Sequence, residues 1–308
     1  MRGTWQKMVI GGVAVALAAG LAWMVAGRKA PEPNRVIIGK PIDITPASSA
    51  HTDAPPVVRA ESATVAEWVA AKGLEVNEKG QNDRTLVHQA ALVNRVDVLE
   101  WLKEQGADID TEDDSELTPL HYAVVSRNIE AVKWLIENGA DVNPGDGLWG
   151  NPIYEAAERG LVEVMQWLME RGADINTKDT FMGVAPIHGA AQYGHVEAMQ
   201  WLKEQGADIS AKDNEGRASM HWAARGGHVS AMQWLKENGA DLNVKGYRGS
   251  TLMHAAAMGG QIEAMKWLKE NGVDVNAKDS DGLTPMRVAT RSGRIEATKW
   301  LKENGAEE

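Results

Sequence analysis

Eight tryptophans set a ruler along this sequence: Trp68, Trp101, Trp134, Trp167, Trp201, Trp234, Trp267 and Trp300 recur every 33 residues, with one 34-residue step between Trp167 and Trp201. A period of that length is one supersecondary unit copied in tandem, and such a unit buries its apolar face only by stacking on its neighbours. The 308 residues therefore do not divide into average globular domains by length.

A second marker keeps the same phase. Thirteen residues before each of the last seven tryptophans lies a motif position, clearest in Thr118-Pro119-Leu120-His121-Tyr122-Ala123 and echoed in Ala185-Pro186-Ile187-His188-Gly189-Ala190. Gly194-His195 and Gly227-His228 supply a turn, and Gly139-Ala140-Asp141-Val142-Asn143 supplies an end to the unit. A 33-residue period carrying T-P-L-H-x-A, a GH turn and a GADVN end resembles the ankyrin repeat family over residues 61–308. The resemblance implies an all-α fold, a solenoid of stacked helix-turn-helix units with short hairpin loops.

Local chemistry supports the same reading. Thr at the helix start offers an oxygen to free backbone N–H groups, and Pro at the next position loses no hydrogen bond. Gly160, Gly194, Gly227, Gly260 and Gly293 fall where the first helix must end in a left-handed residue; Asn94 is an acceptable substitute and Arg127 a departure. In the second helix, Val196 to Leu202 places apolar residues on a broad face that only a neighbouring unit can cover. The Trp row on that face is expected to be core, and Ala three residues earlier, at 131, 198, 231, 264 and 297, compensates its volume.

The units run 80–112, 113–145, 146–178, 179–212, 213–245, 246–278 and 279–308, after a half-copy at 61–79 that keeps Trp68, Gly73 and Asn77. Thr298 and Arg287 make the last unit more polar, as in a cap.

Ahead of the repeats, Met8 to Gly27 is an uncharged, mostly apolar run of 20 residues between Arg2 and Lys7 on one side and Arg28 and Lys29 on the other. It is long enough to span a bilayer, so residues 1–29 read as a hydrophobic helix that anchors the chain as a single-pass membrane protein. The competing reading is a signal peptide cleaved near Ala16-Leu17-Ala18, which would leave a secreted or periplasmic protein. Residues 30–60 hold six prolines and few large apolar residues and read as a disordered linker that extends to roughly 90 Å.

Charge and composition narrow the function. Seven of the 32 Lys and Arg and three of the 43 Asp and Glu fall in residues 1–60, which leaves the repeats with 25 basic and 40 acidic residues. Such a body repels nucleic acid and favours a neutral or basic partner. The absence of cysteine removes disulfides, thiolate nucleophiles and Cys-ligated zinc. His88, His121, His188, His221 and His254 all occupy the motif position, where the resemblance implies a structural hydrogen bond; Tyr154 and Arg287 fill it in two copies. The run Glu112-Asp113-Asp114-Ser115-Glu116 lacks the spaced ligand pattern of a calcium loop and reads as a hairpin tip. No phosphate-binding loop or nucleophile stands out, so no enzyme, cofactor, metal or small-molecule substrate is expected.

The resemblance implies that partners bind at hairpin tips and on the exposed side of the first helix. The middle units are the distinctive ones there, with Leu148, Trp149, Phe181, Met182, Tyr193, Tyr247 and Met258, and Arg217, Arg225 and Arg248 among them. Exposed aromatics and Arg are what binding patches enrich. The plainer alternative is that Phe181, Met182, Leu148 and Trp149 pack on one another around the extra residue between 174 and 188. Tyr122 and Trp222 follow the motif His and read as framework. The expected function is a protein-interaction scaffold; the alternative is a passive spacer or clamp in a membrane complex.

Overall fold

The computed structural model describes residues 64–144 and 150–307. The apolar segment within 1–29, the linker 30–60, Leu148 and Trp149 lie outside the described residues. Among the described residues there are fifteen α-helices and no strand beyond a lone bridge between Lys212 and Ala218. None of these helices is long and apolar enough to cross a membrane.

A single helix, α1 (Val65–Lys72), precedes seven helix pairs. The first members are α2 (Leu86–Leu92), α4 (Pro119–Val125), α6 (Pro152–Glu158), α8 (Pro186–Gln192), α10 (Ser219–Gly226), α12 (Leu252–Gly259) and α14 (Pro285–Arg291). Their partners are α3 (Val96–Glu104), α5 (Ile129–Glu137), α7 (Val162–Glu170), α9 (Val196–Glu204), α11 (Val229–Glu237), α13 (Ile262–Glu270) and α15 (Ile295–Glu303). Each first helix packs on its own partner and on the first helices either side of it, and the second helices form a parallel row behind. Paired alanines, such as Ala190 and Ala191 or Ala223 and Ala224, are fully buried in the first-helix row and let these short helices approach closely.

The helix starts are stitched across units. The Thr118 N–H donates to His121 Nδ1 (3.0 Å), so the ring proton sits on Nε2, which donates to the Gly150 carbonyl at 2.9 Å. His88, His188, His221 and His254 repeat this bridge to Leu117, Ala211, Ser250 and Leu283. Where Ala replaces Thr the hydroxyl is missing, and the His188 and His221 N–H groups bond instead to the carbonyls of Ala185 and Ala218 (both 2.8 Å). Burial holds all five rings below the ordinary histidine range, with His121 and His221 lowered to about 4.

First helices end in a left-handed residue throughout: Asn94, Gly160, Gly194, Gly227, Gly260 and Gly293 have positive φ, and so does Arg127, which keeps the conformation despite its side chain. At Gly194 a Cβ would also lie 2.5 Å from His228 Nδ1, so both conformation and space demand glycine.

The tryptophan row departs from expectation. Trp68 is buried, but Trp101, Trp134, Trp167, Trp201, Trp234, Trp267 and Trp300 are only half-buried. The fully buried positions of the second helices are their neighbours, as with Ala198, Met199 and Leu202 around Trp201. The indoles therefore cover the rim between successive second helices, and Lys103, Lys133 and Lys236 each lie 5.9 Å from the ring centroid of Trp134, Trp167 and Trp267. Ala at the buried position keeps the helices close, rather than making room for a ring inside the core.

Candidate protein-binding surface

Four of the described tips are built on one aspartate each, while those at Gly80 and Gly246 are closed by backbone bonds to Arg84 and Ser250 (both 2.9 Å). Asp113 Oδ1 accepts from the Ser115 and Leu117 N–H groups, Asp213 Oδ1 from Glu215 and Arg217, and Asp279 Oδ1 from Asp281 and Leu283. In the longer tip Asp179 holds Phe181, Met182 and Val184 in the same way. Backbone bonds join neighbouring tips, from Asp114 to Asn82, Asn214 to Met182 and Ser280 to Arg248. The acidic run at 112–116 is thus a tip whose carboxylate at Asp113 is committed to the backbone and to Tyr122 Oη (2.5 Å). No group of three or more potential ligands stands ready for a metal among the described residues.

The structure sorts the expected contact residues into three kinds. Phe181 (72% exposed), Tyr247 (54%) and Tyr193 (46%) present their rings to solvent. Met182 and Met258 are half-buried, and Arg248 is exposed but paired with Asp281 (2.6 Å) and lies over the Tyr247 ring. Arg217 is a correction: it is largely buried, bonded to Asp213 and Glu215 (both 2.7 Å), and stacked at 4.5 Å on Trp222. It belongs to the framework of its tip. Arg225 lies on α10, 6.0 Å from the centroid of the same indole.

Tyr122 and Trp222 are buried, as expected of framework. Each ring donates to the tip aspartate of its own unit, Tyr122 to Asp113 and Trp222 Nε1 to Asp213 Oδ2 (3.2 Å), and carries an Arg, Arg84 or Arg217, on its face.

Family models for ankyrin repeats match residues 57–146 and 153–246, and a further one matches 253–301. The chain belongs to the ankyrin repeat family. No curated protein matches the sequence. Among solved structures, the crystal structure of the human ASB11 ankyrin repeat domain is similar with a TM-score of 0.60 and 24% identity, over 73% of this chain and 100% of that one. Ankyrin repeats are protein-interaction modules and are typically not enzymes.

Within this ankyrin domain one surface feature escaped the sequence reading. Gln81, Asn82, Arg84, His88, Gln89, Leu92 and Tyr122 line a shallow depression of about 370 Å³ beside α2. Leu92 and Val93, at the end of that helix, are exposed. The signal was present as two consecutive apolar residues where the matching positions of the next four repeats include Ser126, Glu158, Arg159, Gln192 and Arg225.

Proposed function

We propose that this ankyrin protein is an interaction scaffold that receives a protein or peptide partner across the tips and first-helix faces of its middle repeats. The observation that carries this is that, among the described residues, every exposed aromatic of the large apolar side chains, Phe181, Tyr193 and Tyr247, falls in one continuous stretch of the solenoid. Rigid rings of this kind give large contact area for little lost freedom, the signature of binding hot spots. The excess of acidic residues in the body favours a partner that is neutral or basic overall. In this reading residues 8–27 anchor the scaffold in a membrane, with export after cleavage as the competing topology; resistance of the full-length protein to alkaline carbonate extraction distinguishes the two.

The test is crosslinked capture by the full-length chain, native against a Phe181→Ser/Tyr193→Ala/Tyr247→Ser triple variant with an unchanged melting temperature. Loss of a captured partner by tenfold or more is expected. Capture that is absent, or indifferent to the three substitutions, moves the passive spacer ahead.

A further inference from the structure

We infer that Arg225, backed by Trp222 and Arg217 and approached over the glycine ends of α10 and α12, receives a carboxylate side chain of a partner peptide. This rests on the interaction reading above and adds the chemistry of one subsite.

Arg225 sits in the last turn of α10, half-buried, and makes no hydrogen bond or ion pair among the described residues. The charges around it do not balance. Its guanidinium is disfavoured first by burial and next by Arg217, and Arg294 adds to the repulsion, while Glu215 and, more weakly, Tyr193 oppose it. Glu215 is already paired with Arg217 at 2.7 Å, and Arg294 donates its Nε to the Met258 carbonyl at 3.0 Å. Arg217 in turn has Nε on Asp213 and Nη1 on Glu215, while its Nη2 is buried with no partner. Arg225 and the Nη2 of Arg217, both against one indole, thus hold donors that no described residue fills. A guanidinium fork matches the two oxygens of a carboxylate, and an aromatic wall that excludes water strengthens that bond.

The backbone beside Arg225 adds no side chain of its own to the rim. At the position that holds Val93, Ser126, Arg159 and Tyr193 in earlier repeats, α10 and α12 have Gly226 and Gly259. A Cβ there would lie 2.2 Å from the Gln192 and Arg225 carbonyl oxygens, so the three helix ends meet backbone to backbone, with the His228 and Gln261 side chains packed against the same points at 2.6 and 2.9 Å. An extended segment lying on this strip reaches Arg225 on one side and Tyr193 and Met258 nearby. The cationic spot is isolated on an acidic body, which suits one or two carboxylates of a peptide and not a phosphate backbone, whose charge the rest of the surface repels.

The test is selection of random dodecapeptides displayed on phage against the full-length chain and, in parallel, against Arg225→Gln and Arg225→Lys. Peptides from the native protein are expected to carry at least threefold more Asp and Glu than the input library. That bias should vanish with Arg225→Gln, persist in weakened form with Arg225→Lys, and leave the melting temperature of Arg225→Gln no lower than native, since an unpaired charge is being removed. Enriched peptides without an acidic bias, or a bias that survives Arg225→Gln, overturn the subsite while leaving the scaffold standing. No enrichment of any peptide overturns both, and Arg225-dependent binding of a single-stranded oligonucleotide in place of peptides overturns the choice of partner.

Discussion

The starts of α4 and α6 solve one problem by different means. At α4, His121 accepts from Thr118 N–H and donates to Gly150 in the next repeat, so a single buried ring both caps a helix and ties two units together. At α6, Tyr154 fills the same slot and Asn151 caps the helix alone, accepting from Ile153 N–H at 3.2 Å. At the other end of the helix Arg159 Nε donates to Val125 O (3.2 Å) and Arg127 Nη2 to Arg159 O (3.1 Å), both bonds running back to the preceding repeat, which the His121 stitch already joins. Arg159 is then held by Glu155, a carboxyl group that burial pushes up to about 8. The stack tolerates the loss of the forward histidine bond at α6, where the added bonds strengthen the junction behind it, and the buried Glu155 brings a titration of opposite sign.

The largest effect should come from removing the stitch itself. His121→Ala leaves the Thr118 N–H and the Gly150 carbonyl without a partner in a buried site, at a cost of about 2–5 kcal/mol. The expected readout is a lower urea midpoint with an unchanged slope. Tyr154→Phe, which removes no such stitch, should move that midpoint by less than about 1 kcal/mol. Equal losses from the two substitutions would mean that the slot is filled for packing alone.

The pH dependence sharpens the contrast. His121 and His221 titrate near 4 in the fold against 6.5 in the unfolded chain, so the unfolded state takes up more protons between those values and stability falls as pH drops from 6.5 toward 4. Glu155 titrates near 8 against 4.5, so the folded state holds the extra proton and stability falls as pH rises from 4.5 toward 8. Glu155→Gln keeps the shape and cannot ionise. It should match the native protein at pH 5 and exceed it by on the order of 2 kcal/mol at pH 8, measured as urea midpoints across the range. A constant offset between the two proteins at all pH values would show that Glu155 does not titrate in this window.

How much of this could be read beforehand depends on the range of each interaction. The helix starts at Thr118 and Thr284, the left-handed ends at Asn94 and Gly194 and the all-helical stack follow from residues a few positions apart at a fixed period. The Trp row had the right register, but periodicity cannot distinguish a ring in the core from one on the rim, since both lie on the face toward the neighbour. Tip aspartates Asp113, Asp213 and Asp279 each stand eight residues before the motif position, a recurrence as regular as the histidines and legible in principle. Arg217 and Arg225 could not be told apart. Both are arginines in the middle repeats, and only the fold shows that Arg217 closes on Asp213 in its own tip while Arg225 meets another arginine and no free acid. Phe181 could be read only as a tip residue that is either exposed or packed, since the extra residue lengthens its tip; in the structure its side chain is exposed.

The smallest effect tests whether Tyr154 belongs to the same local exchange. Gly189 occupies the position that holds Tyr122 and Trp222 in other repeats, and a Cβ added there would lie 3.2 Å from Tyr154 Cε2 and 3.4 Å from Glu158 Cβ. Glycine inside a helix is normally worse than alanine by about 0.5–1 kcal/mol, so Gly189→Ala would stabilise α8 if space allowed. With Tyr154 in place the added methyl is tighter than ordinary contact and should cancel that gain, leaving the midpoint unchanged or slightly lowered. In a Tyr154→His background the ring retracts to the stitching position and the same substitution should recover about 0.5 kcal/mol or more. The interaction term of this double-mutant cycle reads the coupling directly. Additive effects would separate Gly189 from Tyr154 and leave the tyrosine as an isolated replacement; a positive term would make the α6–α8 exchange of histidine for tyrosine, and of a large residue for glycine, one cooperative substitution across two repeats.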